Sequence, residues 1–305
     1  MSAKVIAFLN FKGGVGKTAN VVNLGACLAY QKHKRVLVVD LDPQCNSTFW
    51  LLSPQRFTEL TAVARQASAI QRTTFQIFQD AITGTSLFNA HDAIVQGVPR
   101  TQNGLELIPN LHLLPSAIDL FDIEFGINPK IVGRVRPSLR NALLPVMEEY
   151  DYILLDCPPN IYHVAQTAVV AADHIVVPYN PDYLSLSGLQ ILCRQLHKMN
   201  ESFQASRAHL SQNQVCAITV NRYQIVGEIY STAIAELKAQ LLLLKEKGWV
   251  HPQCAVLAPP VRLDVRVAES TSEHLPVILH AAGSIGSQDY SLLADSFIAH
   301  LQSLP

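Results

Sequence analysis

Three glycines, two lysines and a threonine fall within seven consecutive residues near the start of the chain: Lys12-Gly13-Gly14-Val15-Gly16-Lys17-Thr18. Holding a phosphate takes several N–H donors aimed at one point. Glycine permits this, because it tolerates positive φ and lets the backbone approach a ligand closely. Gly13, Gly14 and Gly16 can supply the turn, Lys17 can reach β- and γ-phosphates, and the Thr18 hydroxyl can ligate Mg2+. The spacing departs from the ordinary GxxxxGK[ST] loop. Its first glycine would stand at position 11, which is Phe11, and Lys12, Gly13 and Gly14 come instead. One lysine is enough for one phosphate cradle, so Lys12 asks for a second task.

Carboxylates stand where a phosphoryl-transfer site needs them. Such a site uses them to hold Mg2+, directly or through water, and to orient an attacking water. Asp40 and Asp42 close the apolar run "RVLVVDLD", and Asp156 closes "YILLD". Two prolines, Pro158 and Pro159, follow Asp156 as a stiff turn.

The elements that must position these groups are legible as hydrophobic periods. Val5–Leu9 reads as a buried strand ahead of the glycine loop. Lys17–Gln31 reads as a helix with Val21, Leu24 and Leu28 on one face and Val22 and Ala29 beside it. Strand, loop and helix in that order put phosphate at a helix N-terminus. Arg35–Asp40, Tyr152–Asp156 and the runs "HIVVPYN", "QVCAITVNR" and "QCAVLAPP" read as further strands. Helical patterns cover Leu184–Met199, Gly227–Lys247 and about Gln288–Leu301, and Arg136–Tyr150 reads as a helix bent at Pro145. Ser116 is a candidate N-cap for "AIDLFDIEF", and Gln102–Ser116 reads as two short strands or one broken one. Between Ser53 and Gly97, Phe57, Leu60, Ala64, Ala67 and Ile70, then Phe75, Phe78 and Ile82, keep helical spacing, as a helical insertion would. Strands alternating with helices predict an α/β fold, a mostly parallel twisted sheet with helices on both faces, in one P-loop NTPase-like domain over residues 1–305.

Bulk properties narrow the class. Of 305 residues, 49% are hydrophobic and 15% charged, the balance of a chain with a core and not of a disordered one. The formal net charge of −1 excludes a globally basic nucleic-acid binder. Cysteines at 27, 45, 157, 193, 216 and 254 form no CxxC, so neither a zinc site nor a disulfide framework is expected. No run reaches the roughly 18 apolar residues of a membrane span, and a soluble, cytoplasmic protein is expected.

With these residues in view, the chain resembles the ParA/MinD-type ATPases, whose deviant Walker A box is "KGGVGKT". The likeness continues at "VLVVDLDPQCNST", "YDYILLDCPP", "VVPYNPDYLSLSGL" and "TVNR", with a weaker match at Val261–Ser270. It covers roughly two thirds of the chain. The resemblance implies ATP and Mg2+ as cofactors and a nucleotide-sandwich homodimer. Lys17 serves its own ATP in that arrangement, and Lys12 reaches the partner's phosphates. It places Asp42 near the attacking water, Asp40 near the metal and loop, and Asp156 as the Walker B aspartate. Asn221 matches a residue that contacts adenine, and Pro259 borders the base. Ala19 stands where many relatives have a second Thr, which removes one hydroxyl contact, and Phe11 replaces a frequent Gln.

The ParA branch implies non-specific DNA binding as an ATP dimer, nucleoid association and a ParB-like activator, in service of plasmid or chromosome partition. Arg194–Ser270 holds nine Lys/Arg against six Asp/Glu, and Arg262 and Arg266 in "VRLDVRVAES" resemble the family's DNA-contacting arginine segment. Thr271–Pro305 contains no Lys or Arg, which argues against a basic membrane-binding tail. Two alternatives share the same parts. One positions a protein cargo on the nucleoid through an adapter protein. The other is an ATP-dependent metabolic enzyme, for which the Ser53–Gly97 insertion is the one candidate acceptor pocket.

Overall fold

Each apolar run with polar or proline boundaries becomes a strand. The computed structural model describes residues 2–53, 55–58, 72–99, 107–203, 214–224 and 228–304. In chain order the strands are β1 (Lys4–Phe8), β2 (Val36–Asp40), β3 (Val98–Pro99), β4 (Leu107–Ile108), β5 (Leu111–Leu114), β6 (Tyr152–Asp156), β7 (His174–Tyr179), β8 (Val215–Val220) and β9 (Ala255–Leu257). Seven of them form one sheet in the order β5-β2-β6-β1-β7-β8-β9. Every pairing in it is parallel. β3 and β4 pair separately and antiparallel.

Side chains alternate across each strand, so one strand feeds two cores. Val5 and Ala7 of β1 enter the core on one face, and Ile6 and Phe8 enter the other. Helices cover both faces, which is why the strands read as continuous apolar runs. β1 lies between β6 and β7, and the chain winds away from it in both directions. Ligands of open α/β sheets bind at such a switch point, beyond the carboxyl ends of the strands. Register brings the chemistry there: Phe8 and Asp40 both stand level with Asp156.

The helix after the glycine loop, α1 (Lys17–Ala26), runs on as a π-helical turn over Cys27–Gln31. It packs onto the sheet at Gly25. A Cβ there would lie 3.4 Å from Leu154 Cδ1 and from Val38 Cγ2. Alanine fits at ordinary contact and leucine does not. Gly25→Leu is therefore expected to destabilise the fold by about 1–3 kcal/mol, as overpacked cores do, while Gly25→Ala stays neutral or gains. Urea unfolding of the two variants checks this, and equal midpoints would remove the close-packing argument.

Several expectations need adjusting. The bend at Pro145 is a change of helix type: an α-helix over Ser138–Leu143 passes into a 3-10 helix over Leu144–Glu149, with the proline at its start. Ser116 caps nothing. The helix that follows begins at Leu120 after Asp119, and Ser116 is buried with its N–H donated to Thr48 Oγ1. In the expected insertion, Thr74–Thr83 and Ala90–Ala93 are helical, as are residues 55–58. Leu60, Ala64, Ala67 and Ile70 lie outside the described residues, as do residues 102–106 of the expected broken strand.

Candidate functional site

The glycine loop leaves β1 and enters α1 through two left-handed residues, Gly14 (φ +73) and Gly16 (φ +91). A side chain at Gly16 would be strained and would also meet Asn221, whose Cγ lies 3.1 Å from the position of a Cβ. The loop is braced from behind. Asn20 Nδ2 donates to Gly16 O and to Asn221 Oδ1, both at 2.7 Å, and Asn221 Nδ2 donates to Val15 O at 3.0 Å. Asn180 Nδ2 holds Gly14 O at 3.2 Å. With these carbonyls drawn into the protein, the peptide planes turn their N–H edges the other way, as an anion cradle requires.

Gly13, Gly14, Gly16, Lys17, Thr18 and Ala19 line a cleft of about 720 Å3, together with Asp42 and Asn221. Val15 is wholly buried beneath it. Lys17 is 7% exposed, and its Nζ rests against the carbonyl of Lys12 at 3.3 Å. Burial pushes the Lys17 ammonium below its ordinary value, and Asp156 and Asp42 oppose that shift.

The three aspartates differ in what their oxygens do. Asp40 is fully buried with both oxygens engaged: Oδ1 accepts from Asp42 N at 3.0 Å, and Oδ2 accepts from Thr48 N at 2.8 Å and Thr48 Oγ1 at 2.7 Å. The Asp40 carboxylate ties the Asp42 loop to the helix α2 (Asn46–Leu51) and lies level with Asp156. Asp156 accepts from Ser47 Oγ at 2.6 Å through Oδ2, while its Oδ1 is buried with no hydrogen bond. Burial pushes the Asp156 carboxyl up to about 6, against the pull of the Ser47 and Thr18 hydroxyls. Asp42 uses Oδ1 to accept from Gln44 N at 2.9 Å and lines the cleft. Burial raises its carboxyl too, with Gln44 and Lys17 opposing.

An orphaned carboxylate oxygen facing a threonine hydroxyl fits a hard divalent cation. Among the described residues no group of three His, Cys, Asp or Glu could hold a metal on protein ligands alone. Magnesium does not need one, since it binds through one or two carboxylates with phosphates and waters.

Lys12 points elsewhere. Its Nζ contacts both oxygens of Asp182 at 3.0 Å and Ser185 Oγ at 2.9 Å. Burial pushes the Asp182 carboxyl up, but the hydrogen bonds of Lys12 and Ser185 hold it below its usual range overall. Asp182, Ser185, Asn20 and Ser47 contact the candidate site residues, and sequence reasoning did not single them out. Asp182 and Ser185 fall in "VVPYNPDYLSLSGL" and Ser47 in "VLVVDLDPQCNST", but neither motif singled them out.

Asn221 lines the cleft at 3% exposure, with its amide hydrogen-bonded to Val15 O, Asn20 Nδ2 and Thr219 O. Pro259 does not line the cleft; Val261, Arg262 and Leu263 do. Arg262 is locked to Asp289, with Nε to Oδ2 at 2.9 Å and Nη2 to Oδ1 at 2.7 Å. Arg266, near the start of the helix Val265–Ser272, pairs with Glu269 at 2.7 Å and is half exposed.

Comparison with known proteins agrees with this geometry. The model of an AAA domain family matches residues 3–210. The sporulation initiation inhibitor protein Soj of Bacillus subtilis is 30% identical over 97% of this chain and 99% of its own. The chromosome partitioning protein ParA of Caulobacter vibrioides is 27% identical over 97% of this chain and 94% of its own. An ATP complex of McdA from Cyanothece shares the fold at a TM-score of 0.69 and 18% identity, covering 100% of this chain and 98% of that one. The match to Soj over nearly the whole of both chains, with the AAA domain match over residues 3–210, places the chain in the ParA/MinD-type partition ATPases.

Proposed function

We propose that the protein is a Mg2+-dependent ATPase that pairs face to face on ATP, binds DNA without sequence preference as that pair, and drives partition of a plasmid or chromosome. The observation that carries this reading is the division of labour between the loop lysines. Lys17 lies in the cleft, and Lys12 is held outside it by Asp182 and Ser185, free to serve a second nucleotide. Thr18 and Asp156 would hold Mg2+, which spreads the charge developing between β- and γ-phosphates. Lys17 neutralises its own triphosphate, the partner chain's copy of Lys12 adds a cation at the transferring phosphoryl, and Asp42 orients the attacking water. A ParB-like activator would speed hydrolysis.

DNA binding by one copy is expected to be weak. The Arg194–Ser270 region carries a net +3, and Lys238 and Lys247 are exposed on the surface. Pairing doubles that patch. Retention of DNA in a filter or gel assay should therefore appear with an ATP analogue, be absent with ADP, and collapse between about 50 and 200 mM salt. Equal retention with both nucleotides would sink the proposal.

A further inference from the structure

The turn that follows Asp156 reaches the cleft at Pro159 and then enters the helix His163–Ala171. Its near end is fixed by the sheet, where Cys157 N donates to Phe8 O at 3.4 Å. Its middle is held by its own bonds, Asn160 N to Pro158 O and Tyr162 N to Asn160 Oδ1, both at 2.9 Å. Its far end depends on the helix, and that helix does not cap itself. Tyr162 stands at the N-cap with no side-chain hydrogen bond, and the first turn holds no acidic residue. The missing acceptor comes from 39 residues earlier in the chain. Glu124 Oε2 accepts from His163 N at 2.9 Å, and Oε1 accepts from Val164 N at 3.0 Å. One carboxylate thus satisfies the two foremost N–H groups of the helix, whose positive end favours its charge. Glu124 belongs to the helix Leu120–Gly126, which Leu120 and Ile123 anchor in the core. A local cap would satisfy the same donors and leave the helix free to shift as a unit. A carboxylate from a second, core-anchored helix ties it to a fixed point. The stretch from Asp156 to His163 is then held at both ends, and Pro159 between them lines the cleft with Lys17, Thr18 and Asp42.

We propose that Glu124 is a positioning residue for ATP hydrolysis: by pinning the first turn of the helix His163–Ala171, it sets the place of the Pro158-Pro159 turn in the cleft. This rests on the ATPase reading and adds to it a side chain that touches neither nucleotide nor metal ligand.

The test compares the full parent chain with Glu124→Ala, Glu124→Gln and Asp122→Asn, the last removing a charge from an exposed position of the same helix. Glu124→Gln keeps the size of the side chain, so it decides the matter even where the alanine variant fails to fold. Its amide leaves one acceptor and turns an NH2 toward the other donor. Three quantities are read: amide hydrogen exchange over residues 157–164 without nucleotide, affinity for a non-hydrolysable ATP analogue with Mg2+, and single-turnover hydrolysis of Mg2+-ATP by saturating chain. Both Glu124 variants should exchange faster over that stretch, bind the analogue within about two-fold of the parent, and hydrolyse about 10- to 100-fold more slowly, the scale of a misplacement of about 1 Å. Asp122→Asn should match the parent in all three. Faster exchange with parental hydrolysis would overturn the proposal, because Glu124 would then be a helix cap alone. So would unchanged exchange, a loss of affinity as large as the loss of turnover, or an Asp122→Asn chain as slow as Glu124→Gln. A parent that hydrolyses ATP beside a Glu124→Gln chain that keeps pace overturns the positioning role alone. A parent that neither binds the analogue nor hydrolyses ATP overturns the ATPase reading with it.

Discussion

Lys12→Ala is expected to bind ATP within about two-fold of the parent, to fail to pair on an ATP analogue, and to lose roughly 10³–10⁵ in activator-stimulated hydrolysis, the range a trans cation supplies in other nucleotidases. The intrachain contact with Asp182 does not stand in the way. The pair is open to water, with side-chain exposures of 36% and 43%. Such bridges contribute about 0–1 kcal/mol. Two opposite unit charges about 4 Å apart attract by about 4 kcal/mol at an effective dielectric near 20, before desolvation, and a triphosphate carries several charges. A partner's nucleotide therefore outbids Asp182 for the ammonium, but not for free. Removing the competitor shifts the balance: Asp182→Asn should lower the protein concentration at which the ATP-loaded chain pairs, by up to about 30-fold, since each pair makes two such contacts at up to about 1 kcal/mol each. Sedimentation velocity with the analogue, alongside turnover, reads both variants. A Lys12→Ala chain that pairs and hydrolyses like the parent would leave the sandwich without its central contact.

The same contact marks the limit of what the sequence made legible. Strands and the phosphate loop were readable because their signals are local. Tyr152–Asp156 is a five-residue apolar run ending in a carboxylate, and the structure has that strand with those bounds. Gly16 closes the turn after β1, and Lys17 and Thr18 open the helix α1. What escaped was every role set by a distant partner. Asp182 meets Lys12 across 170 positions, and Asn20 meets Asn221 across 201. Arg262 pairs with Asp289, 27 residues on and buried, which nothing in "VRLDVRVAES" announces. Nothing in "DLDPQCNST" says that Thr48 will close over Asp40 with two hydrogen bonds. Periodicity shows which side chains are buried, not which buried polar groups find each other.

That distinction separates the aspartates by experiment. Asp42→Ala should leave the ATP-bound pair intact, and longer lived, while single-turnover hydrolysis falls by about 10²–10⁴, the usual contribution of a positioned proton acceptor. Of the three carboxylates, Asp42 alone lines the cleft, and its Oδ2 is unengaged among the described residues. Nothing in the packing depends on that oxygen. Asp40→Ala should behave in the opposite way. It strips the acceptor from Asp42 N and from Thr48 N and Oγ1, and each buried donor left unpaired costs about 1–3 kcal/mol. Its signature is a lower unfolding midpoint, with any loss of hydrolysis following from a displaced Asp42. Asp156→Ala removes the oxygen fitted to the cation, so its hydrolysis defect should vary with Mg2+ concentration, and that of Asp42→Ala should not. If Asp42→Ala hydrolyses normally while Asp40→Ala stays stable and inactive, the water-orienting role belongs to Asp40.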